Sequence, residues 1–236
     1  STTPSSASLP SPGSGPEPPA SIDVREATRS GRGISEAQAA FFREHGYLVV
    51  KGCLSGAELA QVDAAMADLI GRSGVERAND DFRFAKGVVT GDDVLCRIEY
   101  VVDKRDVMKA LLGHPFILRS VETLQGPSFV PTWDSMVVKM PGEGVIVPWH
   151  RDDELEGAPA DHASVFNVDM YLDDAGLDNC VWVIPGSHRW PAEKARARVG
   201  ADGNPAARRE RLPFSFDGAI PVPMQKGDVL FHDVLL

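Results

Sequence analysis

Residues 147–154 read Val-Pro-Trp-His-Arg-Asp-Asp-Glu. His150 and Asp152 stand two apart, after a tryptophan, at the end of an apolar run. An imidazole nitrogen and an anionic oxygen at that spacing are donors for a divalent metal. Two histidines and one carboxylate on one face of a metal leave the opposite positions open for substrates and dioxygen. If the run is a strand, residues two apart point to the same side, so His150 and Asp152 converge while Arg151 points away. The alternative is that they are ordinary polar residues at the mouth of a loop. On the tripeptide alone that plainer reading leads, and the surrounding elements have to decide.

The chain has 236 residues, of which 43% are hydrophobic, enough for one sizeable core. Its net charge of −10 argues against a nucleic-acid partner, which needs a basic surface. Three cysteines, Cys53, Cys96 and Cys180, are far apart and form no Cys-x-x-Cys pair. They suit neither a disulfide framework nor a structural zinc site, and they suggest a reducing compartment. No secretory signal and no bilayer-spanning apolar run is visible, so the expected setting is cytoplasmic, without a membrane partner. Oligomeric state is not legible.

Residues 1–33 form a Pro/Ser-rich tail that is expected to be disordered or weakly ordered, since it lacks the apolar surface to offset its conformational entropy. Residues 34–236 are expected to form a single domain. Ser35 is placed to cap a helix that Gly46 stops. "YLVVKGCL" reads as a strand, residues 55–72 have helical spacing, and 103–126 read as two short helices broken at His114-Pro115. From about residue 128 the chain becomes a series of short β-like runs separated by Gly, Pro, Asp and Asn. Helices first and strands afterwards predict an α+β fold with a jelly-roll-like core and helices outside it. The polar stretch 189–212 reads as a long loop between strands.

Three segments in order, "VVKMPGEGVIVPWHRDD", "NVDMYLDDAGLDNCVWVIPGSHRW" and "MQKGDVLFHDVLL", resemble the phytanoyl-CoA dioxygenase family of Fe(II)/2-oxoglutarate oxygenases. The shared features are Trp-His-x-Asp, then Asp178-Asn179 leading to Pro185-Gly186-Ser187-His188, then Lys226-Gly227-Asp228 before a strand containing Phe231-His232. "FFREHGYLVVKGCLS" resembles the family's start, and the likeness extends over residues 36–236.

The resemblance implies a double-stranded β-helix (jelly-roll) core with flanking N-terminal helices. It implies Fe(II) held by His150 and Asp152, and 2-oxoglutarate as cosubstrate with Arg97 and Met136 near it. It also implies dioxygen and a small-molecule substrate, with succinate and CO2 as coproducts. The family's third ligand, a later histidine, and its 2-oxoglutarate-binding arginine are expected beyond Leu236, with His232 a neighbour of that ligand. Where relatives carry a tryptophan after the first ligand, this chain has Asn167 or Asp169, which suggests a more polar pocket. Related halogenases replace the ligand aspartate with Ala or Gly. The presence of Asp152 favours hydroxylation or a related oxidation.

Competing readings are a β-sandwich binding or scaffold protein without competent iron, and a cupin-type metalloenzyme. The second lacks its usual His-x-His pair here. His188 is expected to shape a turn, and His45 to complement a helix dipole. His114 and His162 are expected in solvent, and Trp133 and Trp149 in the core or a pocket wall. Asp153, Glu154 and Glu156 read as solvated carboxylates. Arg196, Arg198, Arg208, Arg209 and Arg211 read as a solvated basic cluster.

Overall fold

The computed structural model describes residues 32–76, 79–145, 147, 149–152, 165–199 and 217–236. The expected tail falls almost wholly in residues 1–31, outside the described residues, as do His162, Asp153, Glu154, Glu156, Arg208, Arg209 and Arg211.

The first helix, α1 (Glu36–His45), begins and ends where its sequence directs. Ser35 Oγ accepts from the Gln38 backbone N–H, and the Gln38 side chain accepts from the Ser35 backbone N–H, a reciprocal cap. Gly46, at φ 81°, closes the helix with a bond from its N–H to the Phe42 carbonyl. The chain then enters β1 (Tyr47–Val50). Ser55 and Glu58 repeat the reciprocal cap at the start of α2 (Gly56–Arg72), which buries Val62, Ala65 and Leu69 on one stripe.

Next come β2 (Phe82–Lys86) and β3 (Asp93–Glu99), which the sequence reading did not anticipate. Three short helices follow: α3 (Val101–Lys104), α4 (Asp106–Leu112) and α5 (Pro115–Gln125). Pro115 opens α5 at the expected break, where its missing N–H costs nothing. The later strands are β4 (Ser135–Val137), β5 (Phe166–Met170), β6 (Val181–Val183), β7 (Ile220–Val222) and β8 (Val229–Asp233). A further helix, α6 (Ala192–Val199), lies inside the stretch expected to be all loop. Its residues are good helix formers, but its apolar positions are chiefly alanines among charged residues, so its apolar period is weak.

The strands form antiparallel sheets ordered β1-β8-β5, β2-β3-β4 and β6-β7. Mixed helix and antiparallel sheet matches the expected class. Helices α1 and α5 cover one face of the first sheet, where Phe42 and Phe116 meet Leu48, Val50, Val229 and Phe231. Its other face carries Tyr47 and Leu230, packed with Val183 and Val222 from the β6-β7 pair and with Met224 just beyond it. Helices α2 and α4 cover β2-β3-β4 through Val62, Leu69, Met108, Leu95 and Ile98. Leu95 and Ile98, three apart, share that face because the register shifts opposite Arg83/Phe84 and skips Cys96. Among the described residues no helix is long and apolar enough to cross a membrane, and all three cysteines are free.

The Pro185–His188 turn locks onto the end of α1. The Gly186 N–H donates to the His45 carbonyl at 2.8 Å, and His188 Nε2 donates to the Arg43 carbonyl at 3.1 Å. His188 therefore has the structural place expected of it. A Cβ at Gly46 would collide with the His188 ring, and φ 81° is itself unfavourable for other residues. Gly46→Ala is expected to cost about 2 kcal/mol or more, read as a lower urea midpoint.

Candidate metal centre

Strand alternation builds the polar face. On β5, Phe166, Val168 and Met170 pack toward the helices, which sends Asn167 and Asp169 to the opposite side. On β8, Val229 and Phe231 pack with them, so Leu230 and His232 share the face of Asn167 and Asp169. The register pairs Asn167 with His232 and Asp169 with Leu230.

His150 and Asp152 reach this face by a route other than the one the sequence suggested. None of the described residues of 144–150 is in a strand, so alternation along a strand does not aim the two side chains. Instead the Asp152 N–H donates to the Val234 carbonyl at 2.9 Å, docking the segment against the chain just past β8. There His150 Nε2 lies 3.3 Å from Asp152 Oδ1. Asn167 Nδ2 donates to the other oxygen, Asp152 Oδ2, at 2.5 Å. His232 Nε2 lies 3.1 Å from Asp169 Oδ2.

The electrostatics follow from this packing. Burial alone would raise the Asp152 carboxyl. The His150 hydrogen bond, the charges of His232 and His150 and the Asn167 amide outweigh it, and the carboxyl is held below its ordinary value. Burial alone would lower His232. The Asp169 carboxylate and its hydrogen bond, with Asp152 behind, push the imidazole up to about 9.

Arg97 and Met136 were expected together. The register pairs Arg97 with Val137 and Ile98 with Met136, so adjacent positions send Arg97 and Met136 to opposite faces of the sheet. Met136 is buried in the apolar cluster under α2 and α4, and Arg97 holds its guanidinium 5.3 Å from the ring centre of Trp133. Met136 is thus a core residue in this structure, because its face of the sheet is the one the helices cover. Trp133 is 48% exposed and so is not core. His114 also departs from expectation: it is 5% exposed, with Nε2 3.5 Å from Glu58 Oε1. Its position between α4 and α5 buries it against the start of α2. His45 sits in the last turn of α1, as expected, with its ring against Phe41.

The sequence model of the family described as phytanoyl-CoA dioxygenase (PhyH) matches residues 42–236. The chain belongs to the phytanoyl-CoA dioxygenase family.

Among solved structures, AviO1 from Streptomyces viridochromogenes Tue57 is 30% identical with a TM-score of 0.65, over 85% of this chain and 84% of that one. EvdMO1 is 30% identical with a TM-score of 0.63, over 85% of this chain but 44% of its own. EctD from S. alaskensis with bound Fe is 21% identical with a TM-score of 0.65, over 86% of this chain and 69% of that one, and shares the fold.

As a member of the phytanoyl-CoA dioxygenase family, the chain is an Fe(II)/2-oxoglutarate oxygenase in general terms, and its cofactors are Fe(II) and 2-oxoglutarate. The donor atoms fit such an ion. Adjacent ligands that each stand about 2.1 Å from a first-row divalent cation are about 3 Å apart, close to the His150–Asp152 separation. Among the described residues no group of three His, Cys, Asp or Glu side chains is arranged to hold a metal.

The family's motifs also acquire physical roles here. Asn179 Oδ1 accepts from the Gly176 N–H at 2.7 Å, bracing the turn before β6. The carboxylate of Asp228 accepts from the Gly52 and Gln225 N–H groups and from Lys51 Nζ, fixing the entry to β8.

One consequence is pH-dependent. In the metal-free protein His232 binds its proton more tightly when folded, so its stabilising effect is complete below pH 6.5 and is lost as pH rises through about 9. Asp152 acts oppositely: its contribution is present above its ordinary value of 3.8 and is lost as pH falls below it. Urea midpoints of the metal-free protein are expected to fall from neutral to alkaline pH, and to fall less in His232→Gln.

Proposed function

We propose that the chain hydroxylates a C–H bond of a small molecule, with Fe(II) held by His150 and Asp152 and 2-oxoglutarate bound near Arg97. The observation that carries this reading is the 3.3 Å approach of His150 Nε2 to Asp152 Oδ1 on a polar sheet face. When bound, Fe(II) and 2-oxoglutarate supply the activation of dioxygen, with succinate and CO2 as coproducts. The protein's own task is to hold and orient. His150 offers a neutral nitrogen. Asp152, kept ionised by its neighbours, offers an anionic oxygen. Arg97 offers a guanidinium for a carboxylate, on the sheet face that the helices leave uncovered. A carboxylate at position 152 favours oxygen transfer over halogenation, because it occupies the position a halide would take.

We read residues 34–236 as one domain whose strands form a double-stranded β-helix core. Supporting this, helices α1 and α5 pack on one face of β1-β8-β5, while the polar face and the β6-β7 pair lie on the other. The substrate is a small molecule that tolerates a wall of Asn167, Asp169 and His232 rather than an aromatic one.

The test is anaerobic titration of the protein with Fe(II) and 2-oxoglutarate. A weak visible metal-to-ligand charge-transfer band is expected from 2-oxoglutarate chelated to iron. Absence of the band at saturating concentrations of both would sink the reading of His150, Asp152 and Arg97 as the groups that hold them.

A further inference from the structure

We propose that Asn167 is the positioning residue for the Asp152 carboxylate, holding Oδ2 so that Oδ1 is presented with His150 Nε2 as one edge of the metal site. The inference rests on the reading of His150 and Asp152 as ligands.

The two sides of the Asn167–Asp152 contact differ in how firmly they are held. Asp152 lies outside the strands, tethered through its own N–H to Val234. That tether leaves rotation about its side-chain bonds unconstrained. Asn167 is in the middle of β5, in register with His232. Its neighbours Phe166 and Val168 are packed into the apolar cluster, Phe166 against the rings of Phe42 and Phe231. The direction of the Asn167 side chain is therefore set by the core behind it, and a carboxylate that takes a 2.5 Å bond from its amide inherits that direction.

The chemistry of the amide suits the task. A carboxylate oxygen can only accept, so the Asn167 NH2 must face it. With Oδ2 engaged, Asp152 offers one oxygen to a cation rather than two. The amide is neutral, does not titrate and competes poorly for a divalent ion.

The test uses Mn(II), which binds such sites without redox chemistry, and Co(II), whose visible spectrum reports coordination number. Mn(II) affinity is measured by paramagnetic resonance in the wild type, Asn167→Leu and Asn167→Gln, alongside metal-free melting. Asn167→Leu keeps the branched shape at Cγ and removes the donor. We expect its Mn(II) affinity to be about 10- to 100-fold weaker, with an altered Co(II) spectrum and a nearly unchanged melting temperature. Asn167→Gln keeps an amide at longer reach and is expected to recover part of the loss.

Equal affinity and an identical Co(II) spectrum in wild type and Asn167→Leu would overturn the role of Asn167 while leaving the metal site standing. A wild type that binds no Mn(II) would overturn the metal reading itself, and this inference with it. Should Asn167→Leu not fold, Asn167→Ser carries the same test, because its hydroxyl is too short to span to Oδ2. Wild-type affinity in that variant also overturns the proposal.

Discussion

Asp152→Ala is expected to lower Fe(II) affinity by more than about a hundredfold and to abolish succinate formation from 2-oxoglutarate. The magnitude follows from comparison. Groups that merely orient a metal ligand cost about 10- to 100-fold when removed, so deleting the ligand itself must exceed that range. The substitution also strips His150 and Asn167 of their shared partner and removes one of the two carboxylates that hold His232 protonated. His232 should then titrate lower than in the wild type, which proton resonance of its ring can follow. The fold should survive, because Asp152 lies outside the strands and its one backbone bond, N–H to the Val234 carbonyl, does not depend on the side chain. Isothermal titration with Fe(II) under nitrogen and circular dichroism separate the two effects. Unchanged Fe(II) affinity in a folded Asp152→Ala protein would remove Asp152 from the metal site.

The largest expected loss of stability away from the site is at Asp228, in the Lys-Gly-Asp turn that leads into β8. Its side chain is 3% exposed. It accepts from Gly52 N–H at 2.8 Å, Gln225 N–H at 2.7 Å and Lys51 Nζ at 2.8 Å. The same turn is threaded into the neighbouring strands. The Gly227 N–H donates to the Tyr171 carbonyl, the Tyr171 N–H donates to the Asp228 carbonyl, and the Leu54 N–H donates to the Gly227 carbonyl. The carboxylate therefore pins the exit of β1, and the backbone of its turn pins the exit of β5, to the entry of β8 in the sheet that carries Asn167, Asp169 and His232.

Asp228→Ala leaves two backbone N–H groups without their acceptor. A hydrogen bond to a charged acceptor contributes about 1.5–3 kcal/mol, and because these two are only part-buried a total near 3 kcal/mol is expected from urea denaturation. The Lys51 contribution is small because that side chain is 41% exposed. Lys51→Ala is expected to cost under about 1 kcal/mol. A loss at Asp228→Ala no larger than that at Lys51→Ala would show that the backbone bonds do not depend on this carboxylate.

How much of this was legible in the chain varies with the range of the interaction. The N-terminal helices were readable because their signals are local. Ser35 and Ser55 cap three residues ahead, Gly46 closes the helix it follows, and Pro115 opens the helix it begins. The pairing of His150 with Asp152 as candidate ligands was readable from residue type and spacing, together with motifs in a specific order. The fold class followed from helices preceding many short strands. The hairpin of β2 and β3 escaped because a skipped residue at Cys96 breaks its alternation, and α6 escaped because its apolar positions are chiefly alanines, which mark its face weakly.

Local signals thus determined the helix ends, while motifs in their order carried the resemblance from which the family, its cofactors and the candidate pair of His150 and Asp152 were read. The tertiary structure alone decided which side chains share a face. Register, which no local pattern encodes, set Asn167 beside His232 and parted Arg97 from Met136. Long-range docking of Asp152 onto Val234, across 82 residues of chain (234 − 152), brought the carboxylate within reach of the Asn167 amide. Burial, which depends on what packs behind a residue, put His114 inside and left Trp133 half outside.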